Sequence, residues 1–226
     1  MRFEMLAHTA DSNDCCANVP ASEIVQLYHS KGYDSIVITD HFSAEVRDWL
    51  KDEIRGFTHA QMVDRWMKGY RNAKEMGDRI GLTVFLGMEL RFRDTPNDYL
   101  VYGIDEYFLK NNPPLDHLNL DEVNRIKTDD ILIYQAHPFR EKMVVGVPEK
   151  LFGAEVYNGA TESKRNYMAN VLADTYHLHK ISGSDFHRIH QLANGGLDFD
   201  EDIRSYAQFI DALKHDRYRL ITEKVE

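Results

Sequence analysis

The sequence predicts an α/β fold, a small or distorted seven-stranded β/α barrel, and three observations carry that expectation. Seven short segments rich in β-branched and aromatic residues recur along the chain. Stretches with helical periodicity lie between several of them. Each strand segment ends in or is followed by a histidine, carboxylate or amide. Strand–helix alternation on this scale implies parallel strands covered by helices. An open doubly wound sheet is the competing arrangement, but no glycine-rich phosphate loop follows the first strand.

The expected strands are 2–6, 35–39, 83–90, 99–104, 131–135, 154–157 and 180–182. A helix beginning near Ser22 is expected to stop at Gly32, a residue suited to the left-handed cap. Met62, Val63, Trp66, Met67, Tyr70 and Ala73 form one apolar stripe; Ile203, Tyr206, Ala207, Ile210 and Leu213 form another. The nearest approach to a linker, Asn111-Asn112-Pro113-Pro114, is too short to separate a pair of domains, so residues 1–226 are expected to form a single domain.

Composition narrows the function classes. Apolar content of 43% and charged content of 28% are those of an ordinary soluble protein. No apolar run approaches the ~20 residues needed to span a bilayer, and no signal-peptide pattern opens the chain. A cytoplasmic protein without membrane association is the expectation. The net charge of −10 opposes generic nucleic-acid binding, which rests on basic residues neutralising phosphates. It leaves room for a small phosphorylated substrate held by a few arginines and metal ions. The two cysteines, Cys15 and Cys16, are neighbours that rarely meet disulfide geometry, and a buried or loop role is expected for them rather than metal binding.

In an α/β barrel, catalytic groups come from the C-terminal ends of the strands. Here those ends carry His8, Asp40-His41, Glu89, Asp105, His137, Asn158, and Asp185 with His187. Each alone has a structural explanation: Asp40-His41 a helix cap, His137-Pro138 a strand exit. Together they require a separate accident at each strand end, so a metal site is the better reading. Mixed imidazole and carboxylate donors suit Zn²⁺, Mn²⁺ or Fe²⁺ better than Ca²⁺ or Mg²⁺. The number of donors exceeds what one tetrahedral ion needs, implying two or three divalent ions. Arg140 and Arg188, just past His137 and His187, are placed to clamp phosphate with a planar fork, and Asn158 to bind substrate.

Phe3-Glu4-Met5-Leu6-Ala7-His8-Thr9, Ile38-Thr39-Asp40-His41, Gly87-Met88-Glu89, Ala136-His137-Pro138-Phe139 and Ser182-Gly183-Ser184-Asp185-Phe186-His187 resemble, in order, the motifs of the PHP (polymerase and histidinol phosphatase) family. The resemblance implies a distorted seven-stranded β/α barrel, up to three divalent ions and hydrolysis of a phosphoester by a metal-activated water. It implies metal ligation by His8, His41, Glu89, His137, Asp185 and His187, with Asp14 and Asp105 near further ligand positions. Of these, Glu89, His137, Asp185 and His187 are expected to carry catalysis. The family's first motif is His-x-His, and Leu6 stands where the first histidine is expected. Leucine cannot ligate, so one ion is expected to be weakly held, completed by water, or absent. Two other classes compete: a degenerate metal- or phosphate-binding domain, for which Leu6 speaks, and a metal-dependent amidohydrolase, whose barrels usually have eight strands and a longer chain.

Overall fold

The computed structural model describes residues 1–13 and 16–225. Its strands are β1 (Arg2–Ala7), β2 (Ser35–Ile38), β3 (His41–Phe42), β4 (Thr83–Arg91), β5 (Asp98–Tyr102), β6 (Leu132–Gln135), β7 (Gly153–Asn158), β8 (His179–Gly183), β9 (Gly196–Phe199) and β10 (Tyr218–Ile221). The helices are α1 (Ala10–Asn13), α2 (Ala21–Ser30), α3 (Ala44–Leu50), α4 (His59–Trp66), α5 (Lys68–Ile80), α6 (Glu106–Asn111), α7 (Leu120–Ile126), α8 (Ser163–Tyr176) and α9 (Tyr206–Lys214). All seven expected strands are present as β1, β2 and β4–β8. The additional strands are a two-residue extension carrying His41 and a C-terminal pair.

The sheet runs β10-β9-β1-β2-β4-β5-β6-β7-β8 and almost closes on itself. Between β8 and β1 there is no continuous ladder, only a parallel bridge at Ala7 and Phe186. There the Phe186 N–H donates to Leu6 O (3.0 Å) and the His8 N–H to Phe186 O (2.9 Å). The buried Glu4 carboxylate fills the seam below: its Oε1 accepts from the backbone N–H groups of Met5, Leu6 and Ser184, each at 2.9 Å. Pairing of β1 with β2 shifts register between Glu4 and Ala7. Such a bulge lets neighbouring residues share a face; Met5 and Leu6 both enter the apolar cluster that fills the barrel.

One expectation is corrected. The barrel is not all-parallel, because β5 runs antiparallel to both β4 and β6. Only residues 92–97 separate β4 from β5, too few for the crossover of a dozen or more residues that parallel strands require. The C-terminal end of β5, with Asp105 beyond it, therefore lies at the opposite end of the barrel from Glu89.

Phe3, Val37, Phe85, Leu100, Tyr102 and Tyr134 fill the interior, and α9 covers its lower end. Phe209 of α9 stacks on Phe85 at 5.2 Å between centroids. It takes the buried place in the α9 stripe, while Ala207 is exposed. The other stripe spans two helices rather than one, α4 ending at Trp66 and α5 starting at Lys68. The break brings the start of α5 against the site loop: a Cβ on Gly69 would meet Thr9 Oγ1 at 2.1 Å and Asp40 Oδ2 at 2.4 Å. Only glycine permits that approach, and its N–H donates to Ser12 Oγ at 2.8 Å. The helix expected to begin near Ser22, α2, ends as expected, with Gly32 left-handed at φ 72°. No helix among the described residues is long and apolar enough to cross a membrane.

Candidate metal centre

At the upper end of the barrel, three imidazoles converge on one carboxylate. Glu89, in β4, is 1% exposed. Its Oε2 lies 3.2 Å from His8 Nε2 and 3.0 Å from His41 Nδ1, and its Oε1 lies 3.0 Å from His137 Nε2. His8 follows β1, His41 opens β3 and His137 follows β6, so three different strand ends deliver the rings. His8 is sandwiched, its ring centroid 4.3 Å from that of His41 and 4.2 Å from that of His187.

Asp185 supplies the second carboxylate. Its Oδ1 stands 3.6 Å from His8 Nε2 and 3.3 Å from His187 Nδ1. Its Oδ2 is paired with Arg140 Nη2 and accepts from Asn158 Nδ2 at 3.2 Å. Arg140 Nη2 also donates to Asn158 Oδ1 at 3.2 Å. His137 and Asp185 have φ of 27° and 53°, left-handed conformations that non-glycine residues rarely adopt. Such backbone costs on the order of 1–3 kcal/mol and persists where the surroundings impose it. Glu155 helps to do so beside His137, accepting that residue's backbone N–H at 2.9 Å and Asn158 Nδ2 at 3.0 Å.

The electrostatics are those of a buried, mutually dependent charge set. Burial works against ionisation of Glu89, but the His41 charge and the hydrogen bond with His137 hold its carboxyl well below the usual range. Asp185 is depressed in the same way, burial being outweighed chiefly by Arg140. Against the pull of burial, hydrogen bonding to Asp185 and Cys16 pushes His187 up to about 10. Glu155, desolvated and beside Asp185, is pushed up to about 8.

Several of these buried atoms make no hydrogen bond: both ring nitrogens of His8, Glu89 Oε2, His137 Nδ1 and Asp185 Oδ1. Native structures rarely orphan buried polar atoms, and an ion is one of the few explanations. His8 Nε2 and Glu89 Oε2 are near enough to bond, yet their directions do not align. Converging lone pairs are what a shared divalent cation requires. Nitrogen donors from His8, His41 and His187 lie within 4.8 Å of one another, and His41, Glu89 and Asp98 form a second such group. The residues present therefore fit one or more divalent ions.

Of the residues singled out by sequence, the structure brings together His8, His41, Glu89, His137, Asp185, His187, Arg140 and Asn158. Arg188 is exposed beside His187. Asp14 lies outside the described residues. Asp105 does not join the site: it caps α6, accepting the Phe108 N–H at 2.7 Å. It lines a separate cavity of about 660 Å³ together with Tyr206 at the other end of the barrel. Its place is taken by Asp98, at the start of the inverted strand, with Oδ2 3.9 Å from His137 Nε2. Asp98 is also gripped by Arg91 through two hydrogen bonds of 2.7 Å. The signal for Asp98 was the short turn-rich segment Asp94-Thr95-Pro96-Asn97, which marks a hairpin.

Sequence reasoning also missed Cys16, whose thiol is hydrogen-bonded with His187 and His41. Burial opposes its ionisation, yet those two rings draw its pKa down. Asp40, by contrast, is a support. It is 2% exposed and binds the Thr9 N–H (2.6 Å) and Oγ1 (2.8 Å), fixing the turn after His8.

The chain is a nearly closed mixed α/β barrel with a histidine–carboxylate cluster at its upper end, and comparison with known proteins finds that architecture elsewhere. Residues 164–218 match the PHP-associated family model. A two-domain Bacteroides vulgatus protein containing a predicted PHP-like metal-dependent phosphoesterase is similar in fold at 17% identity and TM-score 0.72, over 99% of this chain. The chain spans 65% of the length of that protein. An amidohydrolase from Chromobacterium violaceum, with bound sulfate and no metal, is similar at 14% identity and TM-score 0.59, over 98% of both chains. A lesion-specific endonuclease from Pyrococcus furiosus is similar at 14% identity and TM-score 0.63, over 95% of this chain and 56% of its own. No curated protein matches by sequence. The fold and the match over residues 164–218 agree with the PHP resemblance that the ordered motifs carry.

Proposed function

We propose that the chain is a metal-dependent phosphoesterase that hydrolyses a small phosphorylated substrate, a monoester in preference to a diester. The carrying observation is the group of buried donor atoms without hydrogen bonds, His8 Nε2, Glu89 Oε2 and Asp185 Oδ1, beside the half-buried Arg140.

His8, His41, Glu89, Asp98, His137, Asp185 and His187 would hold two or three ions of the Zn²⁺, Mn²⁺ or Fe²⁺ type, Glu89 lying centrally enough to bridge two. Bound divalent ions supply Lewis-acid charge neutralisation and lower the pKa of a water nucleophile. The protein's own groups do the rest. Arg140, hydrogen-bonded to Asn158 and paired with Asp185, presents a planar guanidinium suited to two phosphate oxygens. Asn158 holds both Arg140 and Asp185 in place, and Glu155 fixes the strained His137 backbone. The exposed Arg188 at the rim is the second phosphate contact. A preorganised cationic contact of this kind stabilises charge developing on the phosphoryl oxygens.

The net charge of −10 supports a small substrate over a polyanion. The endonuclease of similar fold is a longer chain, of which this one spans 56%. One observation favours a binding domain without turnover: Leu6 is fully buried in the apolar core where the family motif has a histidine.

The experiment is metal analysis of purified protein alongside a panel of phosphomonoesters, phosphodiesters and amides, with and without Zn²⁺ or Mn²⁺. Metal-dependent monoester hydrolysis is expected. Metal content near zero, or cleavage of amides alone, overturns the proposal; tight metal binding without turnover on any substrate supports the binding domain.

A further inference from the structure

Residues 16–20, which lead into α2, lie against the mouth of the cluster. Two backbone hydrogen bonds dock them there: the Asn18 N–H to His187 O at 3.3 Å, and the Ala10 N–H to Val19 O at 3.0 Å. At this position the Cys16 side chain, half-buried, has both His187 and His41 as hydrogen-bond partners. Those two imidazoles flank His8, which is fully buried and whose ring nitrogens make no hydrogen bond. A deeply buried unpartnered imidazole between two others, with a thiol reaching the outer two, is the donor arrangement of a soft-metal site.

We infer that Cys16 is a metal ligand of this protein, its sulfur joining His8, His41 and His187 around one ion. The inference rests on the reading of the cluster as a metal centre. Thiolate is a soft donor, so a three-nitrogen, one-sulfur set selects Zn²⁺, Fe²⁺ or Co²⁺ and discriminates against Mn²⁺ and Mg²⁺, which prefer oxygen. The ion held there is then chemically distinct from one held on the Glu89, Asp98 and His41 side, where carboxylates dominate.

Cobalt substitution tests this without reference to turnover. Metal-free protein is titrated with Co²⁺ and followed by absorption, since cobalt–thiolate ligation adds an intense near-ultraviolet charge-transfer band that imidazole and carboxylate ligation lack. Wild type and Cys15→Ser are expected to show the band, and Cys16→Ser to lose it. Cys16→Ser should also weaken Zn²⁺ by at least the roughly 10–100-fold typical of losing a group that merely supports a ligand. Cys16→Asp, which keeps a charged donor of the harder type, should bind ions without the band and shift preference towards Mn²⁺. Circular dichroism checks that each variant is folded, and the Cys16→Asp arm stands if the serine variant is not. If wild type binds Co²⁺ with visible d–d bands but no charge-transfer band, the Cys16 inference is overturned and the metal centre stands. Failure to bind Co²⁺ or Zn²⁺ at all overturns both.

Discussion

Glu89→Gln changes the charge of the cluster's central carboxylate with almost no change of shape. In the metal-free protein, three imidazole nitrogens lie 3.0–3.2 Å from the two Glu89 oxygens. Contacts involving a charged group contribute about 1.5–3 kcal/mol each, so three give an upper bound of roughly 4–9 kcal/mol. The amide still accepts one hydrogen bond and the rings can release protons, which lowers the loss towards the ~3–5 kcal/mol typical of breaking a buried pair. That is a large part of a total stability of about 5–15 kcal/mol. The sign with pH follows from both partners. Glu89 is depressed below its ordinary 4.5, so its contribution is complete above that value and lost as pH falls through the lower folded pKa. His41 is raised well above 6.5, Glu89 overcoming the effect of burial, so its share is complete below 6.5 and lost as pH rises through the raised pKa. The difference between wild type and variant should therefore be largest between pH 4.5 and 6.5 and shrink on either side. Urea unfolding of chelator-treated proteins at about pH 5.5 and about pH 10 measures it. A difference under ~1 kcal/mol at the lower pH, or an equal difference at both, refutes the reasoning.

Asp98→Asn should lower bound metal, whereas Asp105→Ala should leave metal content unchanged and remove only a helix cap, about 1 kcal/mol; elemental analysis and thermal unfolding separate them. Arg140→Ala should raise KM for a phosphomonoester about tenfold or more, the worth of one hydrogen bond to a charged group, and unchanged steady-state KM excludes it from the phosphate site. Leu6→His should make the metal-free protein about 1–3 kcal/mol less stable by burying an unpartnered polar ring. It should also tighten metal binding, so added Zn²⁺ should raise its melting temperature more than that of wild type; an equal rise places residue 6 beyond reach of the ions.

The strands were legible because each is a short apolar, β-branched run, and His8, His41, Glu89, His137, Asp185 and His187 because each sits at a strand end where an upward-pointing group has no apolar task. Asp105 failed for one reason: a strand end was assumed to point upwards, and β5 points down. The six-residue connection before Asp98 held that information, since it is too short for a crossover. Glu4 and Glu155 could not be read, because their work is to accept backbone N–H groups at a seam and beside a strained residue. Those partners exist only once Ser184 and His137 have been folded into place. Cys16 was hidden by its position in a loop, where sequence carries no periodicity to say which way a side chain turns.

The seam between β1 and β8 has a consequence for the order in which the protein assembles. Glu89 and Asp98 belong to one hairpin and meet across fewer than ten residues, whereas the bond from the His8 N–H to Phe186 O closes a loop of roughly 180 residues. Loop-closure entropy disfavours the second event by about 2–3 kcal/mol relative to the first. Two of the seven donors, Glu89 and Asp98, are thus available as soon as a local hairpin forms, while His8 and Asp185 arrive together only when the cylinder shuts. In a refolding experiment, capture of an ion that needs those two residues is then a clock for closure of the barrel, slower than the appearance of secondary structure and paced by the longest-range contacts in the chain.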